Sequence, residues 1–396
     1  MGNIKVVEGS EAVALAVKAC RPHVISAYPI SPQTHIVEGL ARMAADGDID
    51  AEYVRVESEF SAASVLAGAA AAGSRSYTAS SSQGLLLMTE VLYASAGMRL
   101  PFVITGVNRS VSAPINIQVD HQDSMSLRDA GLVQFYVESV QEAYDMHLAA
   151  FKIAEDPEIM LPVMVCMDGW VLTHSYERVQ FVDQQAVDDF LPPFAPEHYL
   201  DPAIPKTWGS YAESDAMMEF KYAIHKAMRE GLPRIQAILD EVSVLTGRDN
   251  SGLIEAYRTE GAEIILVALG SVTGTVKDAV DELRDAGKKV GLLKIRCYRP
   301  FPHEEIWQAV KNAGVVAIMD ASFSMGSEGS IGLDLKAKLY GRPQAPAVVD
   351  FVAGLGGREI NTGTVERLVT RAEEIQRSGE VLPEPEWVDL DASIVP

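Results

Sequence analysis

A hydroxyl, a carboxylate and a guanidinium recur in one part of this sequence, a set able to hold a small anion beside a nitrogen-bearing cofactor. Ser31 stands in Ala27-Tyr-Pro-Ile-Ser-Pro-Gln33, Glu59 in Val56-Glu-Ser-Glu-Phe-Ser-Ala-Ala63 and Arg109 in Val107-Asn-Arg-Ser110. Each follows a short strand-like pattern that gives way to a turn or helix. In open parallel sheets that carboxyl edge is where ligands bind. Singly, each residue has a plainer reading. Glu59 suits the first turn of a helix, Glu57 precedes the N-cap candidate Ser58, and Arg109 suits an exposed loop. Their arrival at one edge from three consecutive strand ends favours a shared site.

The elements that must position them are legible as a strand–helix alternation. His23–Ala27 reads as a strand, and Pro29 and Pro32 keep Ile30 and Ser31 extended before a helix over Thr34–Ala45. Ala51–Val56 is a strand and Ser58–Ala72 an Ala-, Gly- and Ser-rich helix that neighbours can approach closely. Ser74–Ala79 is strand-like, and Ser80-Ser-Ser-Gln-Gly84 opens a helix over Leu85–Ala96 with free backbone N–H groups. Pro101–Val107 is an apolar strand followed by the polar loop Asn108–Asp123. Gly131–Val137 and Leu161–Met167 continue the strands around a helix over Val140–Glu155. Such alternation means a parallel sheet covered on both faces.

The character changes at about Glu177. Pro192, Pro193, Pro196, Pro202 and Pro205 mark an irregular arm, and Ala212–Thr246 reads as one or two amphipathic helices. A second, smaller alternation starts at Glu263. The expectation is an α/β chain with two doubly wound parallel-sheet domains. The boundaries are 1–176, a connecting arm with helices over 177–253, a second domain over 254–378 and an extended tail over 379–396.

Composition narrows the partners. With 396 residues and a net charge of -22, the chain has no basic stripe to reward a phosphate backbone, which argues against nucleic acid. Cys20, Cys166 and Cys297 are far apart and lack metal-ligand spacing, and the histidines are scattered, so no metal site is expected. No run approaches the ~20 apolar residues of a membrane span, and the first residues lack the pattern of a secretory signal. A cytoplasmic protein is expected. The turns Ala268–Gly274 and Gly354–Gly357 lack the dinucleotide fingerprint and read as packing turns. Asp120-His-Gln-Asp123 reads as a hydrogen-bonded loop scaffold, with a metal site the lesser alternative.

Six segments together resemble the alpha subunit of pyruvate:ferredoxin oxidoreductase (pyruvate synthase), within the 2-oxoacid:ferredoxin oxidoreductase family. They are Tyr28–Gln33, Glu57–Ala63, Ala79–Met88, Asn108–Asn116, Asp120–Asp123 and Leu161–Gly169. The resemblance covers essentially the whole chain. It implies a thiamine-diphosphate enzyme of anaerobic metabolism that turns a 2-oxoacid, coenzyme A and an electron acceptor into acyl-CoA and CO₂. Electrons would pass to ferredoxin through [4Fe-4S] clusters. This chain would supply a thiamine-diphosphate pyrimidine-type domain and a transketolase C-terminal-like domain. Beta, gamma and delta type subunits would hold the diphosphate, Mg²⁺ and the clusters.

Carried over onto these positions, the resemblance makes Glu59 the catalytic group on N1′ of the aminopyrimidine, with Pro29 and Ile30 beside it as cofactor contacts. Arg109 would bind the substrate carboxylate and Ser31 would set its hydroxyl on the substrate. Ser31 stands where the pyruvate enzymes usually carry threonine, and Phe60 replaces a commonly polar position. Pyruvate is the main expectation; a larger 2-oxoacid such as 2-oxoisovalerate or phenylglyoxylate is the alternative. Two other classes are a non-catalytic assembly subunit and a nucleotide-binding dehydrogenase using Gly270–Gly274.

Overall fold

The structure, a computed structural model, describes residues 3–395. A seven-stranded sheet runs in the order Cys297–Arg299, Val133–Tyr136, Val163–Asp168, Val103–Asn108, Ser76–Ser80, Val24–Ala27, Glu52–Arg55. Neighbours are parallel except the first pair, which is antiparallel. Val103–Asn108 and Val163–Asp168 are buried throughout. Burial on both faces explains why their apolar runs do not alternate. The carboxyl ends of Val24–Ala27, Glu52–Arg55 and Val103–Asn108 share one edge, as the strand pattern requires.

Helix Glu59–Ala71 crosses from the edge strand Glu52–Arg55 and packs over Val24–Ala27 and Ser76–Ser80. Its N-terminus is capped by Ser58, whose hydroxyl accepts from the Ser61 N–H at 3.2 Å. Ala62, Ala63, Leu66, Ala70 and Ala71 face inward, and the small side chains let the helix sit close to the sheet. The helix after the serine turn is two pieces, Ser82–Leu87 and Thr89–Met98.

A six-stranded sheet follows the order Glu386–Trp387, Ala347–Val352, Val315–Asp320, Ile264–Ala268, Val290–Ile295, Ile254–Tyr257. It is parallel but for the last strand. Both sheets therefore belong to the doubly wound α/β class with one antiparallel edge each.

Several elements depart from the pattern read in the sequence. Cys297–Arg299, inside the expected second domain, pairs with Val133–Tyr136 of the other sheet. Glu386–Trp387 lies in the expected tail yet extends the second sheet by pairing with Phe351 and Val352. Ile4–Glu8 and Tyr176–Gln180 form a separate antiparallel ribbon across the expected boundary at 176. Each of these strands gains its hydrogen bonds from a distant partner, so local periodicity gives little sign of it. Helix Thr362–Ser378 is an element the strand–helix alternation does not include, although it carries a capping box at Asn361 and Thr364 and a left-handed Gly379 at its end. Ala212–Thr246 resolves as one helix, Met217–Thr246, with Pro233 inside it.

Buried ions also join the two sheets. Lys294 Nζ lies 2.8 Å from carboxylate oxygens of both Glu138 and Glu142, and Arg296 Nε donates to Glu142 Oε1 at 2.8 Å. Lys277 bridges Glu138 and Glu255. Burial alone would raise the Glu142 pKa, but Lys294 and Arg296 hold it down at about 2. Among the described residues no helix is long and apolar enough to cross a membrane.

Candidate active site

The loop Tyr28–Pro32 leaves the central strand Val24–Ala27 and is pinned by Gln33. That amide donates from Nε2 to Tyr28 O at 3.0 Å and to Ala79 O at 3.1 Å, which ties the loop to the end of the neighbouring strand. Ser31 and Pro29 are exposed and Ile30 is half-buried.

Glu59 opens its helix and is 7% exposed. Its carboxylate lies against the serine turn: a Cβ placed on Gly84 would fall 2.7 Å from Glu59 Oε1 and 2.4 Å from Ser80 Oγ. Only glycine admits that approach. The hydroxyls of Ser80 and Ser81 and the Oε1 of Gln33 are buried with no partner, and Glu59 itself forms no ion pair or side-chain hydrogen bond among the described residues. Buried polar groups are nearly always satisfied. The unpartnered Ser80 hydroxyl beside the Glu59 carboxylate, with two more unpartnered polar atoms on Ser81 and Gln33, leaves this region open to a ligand that brings hydrogen-bonding groups of its own.

Arg109 is buried, with 6% of its surface exposed. Nη1 donates to Ser31 O at 2.7 Å, Nε to Asn116 O at 3.3 Å and Nη2 to Gln83 Oε1 at 3.4 Å. All three acceptors are neutral, and an N–H on each terminal nitrogen stays available. Burial lowers its pKa while Asp123 opposes the shift. A buried cation without a contacting carboxylate favours an incoming anion. Ser31, Glu59 and Arg109 thus converge, with Gln83 touching Arg109 and the adjacent Gly84 touching Glu59. They are not on successive strand ends, since Ser76–Ser80 lies between and contributes the serine turn.

Asp123 holds this arrangement together. Its carboxylate accepts from Ser82 N at 2.8 Å, Arg109 N at 3.0 Å, Asn108 Nδ2 at 2.9 Å and Ser124 N at 2.7 Å. Burial pushes its pKa up to about 6 against the hydrogen bonds that lower it. The loop is the hydrogen-bonded scaffold its residue types suggest, and through Asp123 it fixes the Arg109 and Ser82 backbones. The serine turn, whose sequence suggests open N–H groups, has its Ser82 N–H taken by Asp123.

The second sheet steadies the same loop. Gly356 N donates to Asp120 Oδ2 at 3.1 Å, Asn116 Nδ2 to Gly356 O at 3.0 Å and His121 N to Ala321 O at 2.8 Å. His121 Nε2 meets Asp168 Oδ1 at 2.8 Å, and the Ser271 N–H donates to Asp168 Oδ2 at 2.8 Å. Burial would raise the Asp168 pKa, but His121 and Ser271 hold it below the ordinary value. The turns at Gly270 and Gly354–Gly357 are packing turns whose job is to dock the two halves.

A family model for the pyruvate flavodoxin/ferredoxin oxidoreductase, thiamine diphosphate-binding segment matches residues 15–238, and one for pyruvate:ferredoxin oxidoreductase core domain II matches 262–365. The chain belongs to the pyruvate:ferredoxin oxidoreductase family. It is a subunit of an oxidoreductase of the 2-oxoacid:ferredoxin class. Pyruvate synthase subunit PorA of Methanosarcina barkeri is 50% identical over 98% of this chain and 97% of that protein. Ketoisovalerate oxidoreductase subunit VorA of Pyrococcus horikoshii is 41% identical, covering 98% of each. A solved 2-oxoglutarate:ferredoxin oxidoreductase from Magnetococcus marinus shares the fold, with a TM-score of 0.71 at 21% identity over 95% of this chain and 66% of that one.

Proposed function

We propose that this chain contributes the aminopyrimidine-binding half of a thiamine-diphosphate site that decarboxylates pyruvate oxidatively to acetyl-CoA and CO₂. The observation that carries the reading is a pair of buried ionisable groups with no oppositely charged side chain in contact: Glu59 lacks a donor and the Arg109 guanidinium lacks a contacting carboxylate. Thiamine diphosphate, when bound, supplies the carbanion chemistry that the side chains cannot. Glu59 holds a proton at N1′ of the pyrimidine, and Pro29 and Ile30 line its approach. The Arg109 guanidinium takes the 2-oxoacid carboxylate through its remaining terminal N–H groups. The exposed Ser31 hydroxyl orients the substrate, and the Arg109 contact to Ser31 O keeps the two groups in register.

In this reading residues 1–176 form the pyrimidine-type domain and 254–378 the transketolase C-terminal-like domain, which lends Cys297–Arg299 to the first sheet, joined by the arm over 177–253, with 379–396 as a tail that adds Glu386–Trp387 to the second sheet. Beta, gamma and delta type subunits hold the diphosphate, Mg²⁺ and [4Fe-4S] clusters, ferredoxin accepts the electrons, and the complex works in the cytoplasm. Serine at position 31 leaves room for roughly one more methyl group, worth ~1–3 kcal/mol of selectivity, so a branched 2-oxoacid such as 2-oxoisovalerate is the second reading. The test is coenzyme-A-dependent dye reduction by the purified complex with pyruvate, 2-oxoisovalerate, 2-oxoglutarate and phenylglyoxylate. The highest kcat/KM is expected for pyruvate; preference for a branched acid would install the second reading, and no 2-oxoacid-dependent reduction would refute both.

A further inference from the structure

Away from Glu59 and Arg109, three residues that are far apart in sequence meet at one surface. Glu8 ends the strand Ile4–Glu8, His35 lies in the first turn of helix Thr34–Ala45, and His174 sits just before the strand Tyr176–Gln180. The antiparallel ribbon places Glu8 opposite Tyr176, which draws Glu8 toward His174. A ligand atom from each of the three residues lies within 4.8 Å of the other two. We propose that Glu8, His35 and His174 form a binding site for a divalent transition-metal ion, zinc in the first instance, with a position left open to solvent.

The donor set is the first reason. Two imidazoles and one carboxylate suit zinc, cobalt or nickel rather than calcium or magnesium, and three protein ligands with an open fourth position are a stable zinc arrangement. The ring geometry is the second. The His35 and His174 ring centroids are 4.7 Å apart with planes inclined at 41°. Two imidazoles on adjacent positions of one metal, with bonds of about 2.0–2.1 Å, put their centroids roughly 4.5–5 Å apart. Glu8 Oε1 and His35 Nδ1 are 2.9 Å apart, close to the separation of two ligands on one ion. His35 is about half exposed, at 49% of its side chain, so a small rotation can bring its nitrogen into line.

The surroundings of His174 are the third reason. Its Nδ1 lies 2.7 Å from Thr173 Oγ1, which also accepts from the Trp170 N–H at 2.9 Å. Thr173 is fully buried, and its carbonyl accepts from Ser10 N and Ser10 Oγ at 2.9 Å each. A fixed partner on one ring nitrogen, leaving the other free to ligate, is the usual support for a metal-binding histidine. The His174 ring also packs against Trp170, with centroids 4.4 Å apart and planes inclined at 33°, which restricts the ring further. The competing account is a plain Glu8–His35 ion pair stacked on His174, with no affinity for metal.

The two accounts separate in a titration of the tag-free full-length chain, stripped with a chelator and titrated with Zn²⁺ against a competing fluorescent chelator. Co²⁺ serves as the spectroscopic probe. One zinc per chain is expected, with visible ligand-field absorption on cobalt binding. Affinity should fall at least tenfold in His35→Ala and in Glu8→Gln, both changes at partly exposed side chains, and about tenfold in Thr173→Val through lost orientation of His174. Absence of binding, or affinity unchanged in His35→Ala and Glu8→Gln, would overturn the site whatever Thr173→Val does.

Discussion

Glu59 and Glu142 are buried to nearly the same extent, 7% and 8% exposed, yet their surroundings are opposite. Glu142 is held by Lys294 and Arg296 between the two sheets. Glu59 has no charged partner and lies beside the unsatisfied Ser80 hydroxyl. One region has its charges matched within the chain; the other keeps its polar groups for something that arrives later. Local rules of satisfaction are broken where a ligand completes them and obeyed where only the fold must hold. The contrast gives each glutamate a different sensitivity.

The largest expected effect is on chemistry. Glu59→Gln should lower turnover of the assembled complex by ~10²–10⁴-fold, the usual weight of positioned proton transfer, while the thermal midpoint stays near wild type because no protein contact is lost. Unchanged dye reduction would instead make this an assembly subunit. Glu142→Gln should reverse the pattern. Unfolding free energy should drop by ~3–5 kcal/mol, since Lys294 and Arg296 remain buried with one partner gone, and turnover per folded molecule should persist. The pH dependence follows from the same pair. With the folded pKa depressed from 4.5 to about 2, the unfolded chain binds the extra proton in that window. The stabilisation is complete above 4.5 and disappears as pH falls toward about 2, a loss of about 3 kcal/mol. Denaturant titrations between those limits should show this acid limb in wild type and its absence in Glu142→Gln.

Arg109→Met should raise the 2-oxoacid KM by ~100-fold, the loss of a charge-assisted pair, with little change in stability because its present acceptors are neutral. A normal KM would remove Arg109 from substrate binding. The smallest expected effect is at Gly84, where a methyl group must displace Glu59 or Ser80. Gly84→Ala should cost ~1–3 kcal/mol by overpacking and lower turnover with it. If stability falls and turnover does not, Glu59 needs less accurate placement than its close approach to Gly84 implies.

Much of this was legible in the residues. The strand ends bearing Ser31, Glu59 and Arg109 follow from alternation and from prolines that act locally, and the sheet does bring them together. The support beneath them was hidden. Asp123 bonds to residues on two other segments, and nothing in its neighbours' periodicity reports that. Cys297–Arg299 is too short to carry a pattern and pairs with a strand more than a hundred residues away. Glu8, His35 and His174 looked scattered because strand pairing and helix packing, not sequence spacing, assemble them. Helix Thr362–Ser378 differs: its cap, its glycine stop and its inward Val365, Leu368, Val369, Ala372 and Ile375 were all present in the local sequence.

The strand Cys297–Arg299 also governs how the molecule comes apart. It closes the edge at Val133–Tyr136, so a polypeptide ending before residue 254 would expose an unpaired, buried-type strand and recruit other chains to it. A protease cut in the arm over 192–216 would leave both fragments hydrogen-bonded through this strand. The nicked protein would migrate as one species until denatured.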